Sequence, residues 1–244
     1  MNNIIHKVEI KKLWNIYNVN WENIAPDVNI IVGINGSGKS TILNAIYTCL
    51  NRPEEIKANF FLDYITVHID KFVIDSRTGK PADMPMPLSA KLNREDTSFD
   101  PIIMRLKNLI ATEPVSAYKE LTEFSKIINS LFRNTKKRLD EHDLSDIRFL
   151  DVNNQEVSLQ RLSLGEKQML TFLYKVFLTR KKPYALFLDE PEYSLHIEWQ
   201  EKLIDIIRQI NPNCQLFITT HSPNIFSNGW QDKLQFIEDF TTEI

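Results

Sequence analysis

The apolar positions along the chain change period several times, and each change marks an element. Residues 5–12, Ile-His-Lys-Val-Glu-Ile-Lys-Lys, alternate and predict an edge-type strand, followed by a second over 16–19. The run 29–32 is continuously apolar after Asn29 and stops at Gly33, as for a strand buried on both faces. Over 40–50 the period turns helical, with Ile42, Leu43, Ala45, Ile46 and Leu50 on one stripe, and Pro53 closes the segment. Residues 60–75 read as strand, and Pro81, Pro85 and Pro87 make 76–100 loop-like. Val115, Tyr118, Leu121, Phe124, Ile128, Leu131 and Phe132 predict a helix of about five turns.

Further along, 147–152 and 155–159 predict a strand pair around Asn153 and Asn154. Residues 165–180 are helical, with Met169, Leu170, Leu173, Val176 and Phe177 inward. A buried strand at 184–188, a helix at 196–210 carrying Trp199, Leu203, Ile206 and Ile210, and strands at 214–219 and 234–238 complete the pattern. Strands alternating with helices predict an α/β layer fold with a mainly parallel core sheet.

Composition adds boundaries. The 244 residues are 43% hydrophobic and 25% charged, ample for a core and unlike a disordered chain. The net charge of −3 gives no global attraction to nucleic acid or membranes. Cys49 and Cys214 lie far apart and form no motif, which fits a reducing compartment. No leader-like or membrane-spanning apolar run occurs, so a soluble cytoplasmic protein is expected. Only 6 glycines occur, and four of them are Gly33, Gly36, Gly38 and Gly165, where a side chain would obstruct the backbone.

The first three open the candidate chemistry. Gly33-Ile-Asn-Gly-Ser-Gly-Lys39-Ser40 follows an apolar strand and opens a helix, the arrangement of a phosphate-binding loop. Backbone N–H groups of Asn35, Gly36, Ser37, Gly38, Lys39, Ser40 and Thr41 can converge on phosphate oxygens at a helix N-terminus. Lys39 supplies charge to the β- and γ-phosphates, and Ser40 a hydroxyl to Mg²⁺. A second apolar strand ends in Asp189 and Glu190, suited to supporting Mg²⁺ and to activating a water molecule, respectively. The next strand ends in Thr219-Thr220-His221, where His221 can donate to a γ-phosphate. Ser163 and Glu166 have capping-box spacing before the 165–180 helix; the same helix start can also serve as a second γ-phosphate site.

With these four motifs in this order, the chain resembles the ATP-binding-cassette class of ATPases, within the branch of SMC, RecF and OLD-type proteins. The stretches 188–196 and 219–223 are similar above all to OLD-type and bacterial anti-phage ATPases. The resemblance implies one ABC-type ATPase domain over 1–244, with an N-terminal antiparallel β layer and a helical lid region inserted at about 76–145. It implies ATP and Mg²⁺ as cofactors, with Lys39, Glu190 and His221 catalytic and Ser40 and Asp189 at the metal. It also implies a head-to-tail homodimer, with Ser163, Gly165 and Glu166 of one subunit meeting the nucleotide of the other and 193–196 meeting its counterpart. The expected role is a switch gating a separate effector in anti-phage defence or a toxin-like system. A transporter ATP-binding subunit and a RecF-type DNA-maintenance ATPase are the alternatives.

Two departures stand out. Residues 41–154 contain no glutamine, where the family carries one near Mg²⁺; Asp63, His68 and Asp70 are candidates to replace it, and the absence weighs against a transporter. Leu164 stands where the signature has a small residue. The basic group Arg133, Lys136, Lys137 and Arg138 suits either a solvated helix end or nucleic-acid phosphates. Trp14, Tyr17 and Trp21 are each able to stack on adenine.

Overall fold

The computed structural model describes residues 2–92 and 97–244. In chain order its elements are β1 (Ile5–Leu13), β2 (Tyr17–Trp21), β3 (Val28–Val32), α1 (Lys39–Asn51), α2 (Ile56–Asn59), β4 (Tyr64–Ile69), β5 (Phe72–Asp75) and β6 (Ser89–Leu92). There follow α3 (Asp100–Thr112), α4 (Pro114–Phe132), β7 (Arg138–Leu139), β8 (Phe149–Leu150), β9 (Glu156–Val157) and α5 (Leu164–Phe177). The chain ends with β10 (Ala185–Asp189), α6 (Ile197–Ile210), β11 (Gln215–Thr219), β12 (Leu234–Phe236) and β13 (Thr241–Glu243). The chain forms two compact units. One comprises 1–93, 182–192 and 213–244; the other comprises 94–181 and 193–212.

The first unit holds two sheets. One is antiparallel, in the order β13-β2-β1-β4-β5; the other runs β12-β3-β11-β10-β6, and every pairing in it is parallel. Helix α1 packs on strands of both, burying Ile42, Leu43, Ala45, Ile46, Cys49 and Leu50. In β10 and β11, Phe187 and Phe217 join that shared core, while Leu186, Leu188, Leu216 and Ile218 alternate to the opposite face and are equally buried. Burial on both faces is the reason these strands read as unbroken apolar runs. A row of rings crosses the core: Phe187 stacks on Phe217 at 5.0 Å, Phe217 meets Trp21 edge-on at 5.7 Å, and Trp21 stacks on Phe240 at 4.9 Å. The buried Gln215 amide stitches the sheets together, accepting from the Ile5 N–H and donating to the Ile5 and Ala25 carbonyls, each at 2.8 Å. Burial pushes the Cys49 thiol up to about 12, and both cysteines are buried.

The second unit is built from α3, α4, α5 and α6 with the small antiparallel sheet β7-β8-β9. Aromatic contacts organise it: Phe124 with Tyr174 and Phe177 at 4.9 and 4.7 Å, and Phe132 with Phe149 and Trp199 at 5.0 and 5.2 Å. Among the described residues no helix is long and apolar enough to cross a membrane.

Several local expectations are revised. The stretch 60–75 is an antiparallel pair, β4 and β5, turning at Asp70 with φ +50°. The proline-rich stretch 76–100 contains β6, whose residues 89–92 have little apolar pattern; its backbone is claimed by β10 instead. Of that stretch, 93–96 lie outside the described residues. Helix α3 begins at Asp100-Pro101 and buries only Ile102 and Leu106, too thin a stripe to announce itself. In α4 the buried face runs through Ala117, Leu121, Phe124 and Ile128, leaving Val115 86% exposed and Tyr118 43% exposed. At about 100° per residue, Val115 sits roughly 200° from Ala117, on the opposite side. The helix stops at Phe132, so Lys136 lies in a left-handed turn and Arg138 in β7 rather than at a helix end.

Phe187 is fully buried in the ring row that spans both sheets. Phe187→Ala is expected to lower the unfolding free energy by about 3–5 kcal/mol, measured by urea denaturation, with Phe187→Leu costing less.

Candidate functional site

Parallel register brings three strand ends level. Asp189 pairs with Thr219 and Thr219 with Ile31, so β10, β11 and β3 deliver their C-terminal residues to one edge of the sheet. Two residues past Ile31 the chain enters the loop 33–38, and α1 begins at Lys39. Gly36 and Gly38 have φ of +80° and +99°, which side chains other than glycine resist. Gly38 also lies beneath the Trp14 indole: a Cβ there would sit 3.2 Å from the ring. At Gly33 a Cβ would strike Ile237 at 2.6 Å.

Lys39 is 4% exposed, and its Nζ donates to the Gly33 and Ile34 carbonyls at 3.0 and 2.9 Å. Burial pulls its pKa below the ordinary lysine value, against the opposing pull of Glu190, Glu238, Asp189 and Glu192. The Ser40 hydroxyl donates to Asp189 Oδ1 at 2.7 Å, and the Thr219 hydroxyl donates to the same oxygen at 2.6 Å. Glu190 follows in a left-handed conformation, φ +46°, an unusual cost for a residue with a Cβ. Its N–H is held by the Thr219 carbonyl at 3.0 Å, and its carboxylate reaches to 3.7 Å from His221 Nε2. The strained turn thus aims Glu190 across the sheet edge towards His221. Glu192, in the turn Pro191–Ser194, accepts from the Thr220 hydroxyl at 2.7 Å and the His221 N–H at 2.8 Å.

In the second unit, Ser163 caps α5. Its Oγ accepts from the Glu166 N–H at 3.2 Å, and Glu166 Oε2 accepts from the Ser163 N–H at 2.8 Å, a complete capping box. Lys137 Nζ lies 2.7 Å from Glu166 Oε1. Burial pushes the Glu166 carboxyl up, but Lys137 and the Ser163 N–H together outweigh it and hold the group below its ordinary 4.5. Gly165 backs directly onto the chain at 194–195: a Cβ would collide with the Ser194 carbonyl oxygen. Within this chain, therefore, Gly165 is required for a close backbone approach between the start of α5 and the 193–196 segment.

Lys39, Ser40, Asp189, Glu190 and His221 are thus brought together, whereas Ser163, Gly165 and Glu166 belong to the other unit. Asp63, His68 and Asp70 have partners on the antiparallel sheet. Asp63 pairs with Lys12 at 3.0 Å, the Asp70 carboxylate accepts from the Asn3 and Ile4 N–H groups, and His68 lies 3.9 Å from Glu9. Of the three aromatics, Trp21 is spent in the core and Tyr17 packs against it, while Trp14 touches the loop. Thr219 and Glu192 lie inside the 219–223 and 188–196 stretches, but their roles as partners of Asp189 and Thr220 are visible only once β10 and β11 are paired, and Glu238, which acts on Lys39, lies outside every motif.

A family model described as an AAA domain, putative AbiEii toxin, Type IV TA system, matches residues 113–227. The chain is 27% identical over 206 residues to the DNA replication and repair protein RecF of Francisella tularensis subsp. novicida (strain U112), and equally to RecF of subsp. tularensis (strain WY96-3418). The match covers 83% of this chain, and the chain spans 57% of the length of these relatives. The fold is similar to the SMC head bound to the C-winged helix domain of ScpA, with a TM-score of 0.61, 19% identity and coverage of 92% and 91% of the two chains. It is also similar to the SMC head domain from Thermotoga maritima, with a TM-score of 0.55, 20% identity and coverage of 96% and 94%. The fold is thus that of an SMC head domain, with a parallel sheet, an antiparallel sheet and helices.

Two outcomes follow for the α5 start. Gly165→Ala should destabilise the protein by about 1–3 kcal/mol through the clash with Ser194, although alanine favours helix by about 1 kcal/mol; thermal unfolding reads the sign. Because Glu166 is held below 4.5, its ionised form stabilises the fold above that pH, and the contribution is lost as pH falls through the lower folded value. A Glu166→Gln variant should therefore lose less stability than the parent between pH 6 and pH 3, followed by urea midpoints.

Proposed function

We propose that this chain is an ATP-hydrolysing switch working through a head-to-tail pair of subunits. The observation that carries the reading is the bond from Ser40 to Asp189, which joins the phosphate-loop helix to the end of β10 beside Glu190 and His221. The donor set fits a nucleotide with Mg²⁺. Two hydroxyls and one carboxylate are hard oxygen donors. Mg²⁺ takes few protein ligands and completes its shell with water and phosphate. Lys39, held on its own loop carbonyls, is a buried cation ready to exchange those partners for phosphate oxygens.

ATP with Mg²⁺ supplies the γ-phosphoryl group that passes to water, giving ADP and phosphate. Ser40 and Asp189 hold the metal side of the site, and Asn35 to Thr41 with Lys39 hold the phosphates. Glu190 takes the proton of the attacking water, and His221 donates to a γ-phosphate oxygen. Trp14, beside Gly38, is the nucleobase contact. The dimer reading rests on the second unit: the Ser163 oxygen already caps α5, its O–H can donate outward, and apolar residues around it are exposed. Leu164 is 58%, Tyr193 75% and Ile197 55% exposed, as a surface awaiting a second subunit would be.

The wider role we infer is gating of a separate effector from the cytoplasm, in defence or a toxin-like system. The support is the resemblance of 188–196 and 219–223 to OLD-type proteins and the description of the matching family model. A second reading, a RecF-type DNA-maintenance ATPase, is favoured by the identity to RecF over 206 residues; stimulation of turnover by DNA separates the two.

Glu190→Gln is expected to lower ATP turnover by about 10²–10⁴-fold and to double the solution mass by light scattering only with ATP and Mg²⁺. Lys39→Ala is expected to abolish both nucleotide binding and the mass change. Unchanged turnover in Glu190→Gln removes the catalytic assignment. A mass unaffected by nucleotide in the Glu190→Gln variant removes the dimer switch.

A further inference from the structure

Thr220, His221 and Ser222 leave β11 as a short irregular segment, yet each backbone N–H is fixed. The Thr220 N–H reaches the Ile31 carbonyl at 3.3 Å, the His221 N–H reaches Glu192 Oε1 at 2.8 Å, and the Ser222 N–H reaches the Thr220 hydroxyl at 3.0 Å. That hydroxyl in turn donates to the same Glu192 oxygen at 2.7 Å. One carboxylate oxygen therefore anchors two of the three N–H groups, the first directly and the second through the fully buried Thr220. Glu192 belongs to the turn that follows Asp189 and Glu190, so the loop leaving β10 grips the loop leaving β11. Bonds to a carboxylate are about twice as strong as neutral ones, and two on one oxygen fix orientation as well as position. The imidazole itself is more than a third exposed, and with its backbone gripped in this way its Nε2 lies 3.7 Å from the Glu190 carboxylate.

We propose that Glu192 is a positioning residue for the ATPase reaction: by holding the Thr220–His221 backbone it aims His221 at the γ-phosphate and keeps it beside Glu190. This rests on the reading of His221 given above. Glu192 does not itself meet the nucleotide and acts only through His221.

The test pairs turnover with backbone protection in the full chain. Glu192→Ala should lower kcat by about tenfold to a hundredfold, the cost of losing charge-assisted bonds, with KM for ATP changed far less. Glu192→Gln, whose amide oxygen can still accept both bonds, should recover most of the rate. In a His221→Ala background, Glu192→Ala should cost nothing further. Independently of turnover, the His221 amide should exchange with solvent at least about tenfold faster in Glu192→Ala than in the parent or in Glu192→Gln. A full additional loss in the His221→Ala background, or unchanged exchange at His221, overturns the proposal. If the parent shows no ATP turnover that Lys39→Ala abolishes, the ATPase reading falls instead, and the amide exchange still decides whether Glu192 holds this segment.

Discussion

Parallel pairing of β3, β11 and β10 in one register is the constraint on which the site depends. It sets Ile31, Thr219 and Asp189 level, so that whatever follows each strand must emerge at one edge. The loop before α1, the Glu190 turn and the His221 segment are then neighbours without being near in sequence. A slip of one residue would turn Asp189 to the other face of its strand and part it from Ser40. The buried apolar residues on both faces of β10 and β11 penalise such a slip, so the core that stabilises the sheet is also what aligns the chemistry.

On that frame, polar groups do work that hydrophobic packing cannot. Asp189 gathers the hydroxyls of Ser40 and Thr219, and Glu192 gathers the hydroxyl of Thr220 and the N–H of His221. Both carboxylates tie one strand exit to another. Between them Glu190 takes a left-handed backbone that a side chain disfavours, held there by Thr219. Strain persists where its surroundings over-determine it, and here the two flanking carboxylate anchors supply that determination.

The start of α5 answers a different demand. Ser163 and Glu166 close a capping box, and Lys137 neutralises the buried Glu166. Gly165 lets the 194–195 backbone approach as closely as it does. The sequence Leu162-Ser-Leu-Gly-Glu166 thus satisfies an internal packing requirement with the same residues whose resemblance suggested a nucleotide contact. A structural and a functional use of one motif are compatible, because the cap employs the serine oxygen as an acceptor.

Apolar runs at 29–32, 184–188 and 214–219, the loop glycines and the acids after Leu188 were legible because local chemistry dictates them: buried strands must be apolar, and the loop before α1 needs left-handed backbone at Gly36 and Gly38. The capping box was legible for the same reason, being contained within four residues. What stayed hidden depends on partners distant in the chain. Strand β6 has no apolar pattern of its own and exists through backbone bonds to β10. Val115 faces outward because the covered side of α4 is set by its neighbours, not by its own composition. Trp21 and Trp14 are indistinguishable in sequence, yet one is locked among Phe217 and Phe240 and the other lies on Gly38. Glu192 is simply one more acid until β10 and β11 are paired. The sequence by itself determined the apolar strands, the amphipathic helices and the residues their ends carry, since those follow from local burial and backbone geometry; only the tertiary structure decided that β6 forms and which ends meet, since both follow from strand order and register.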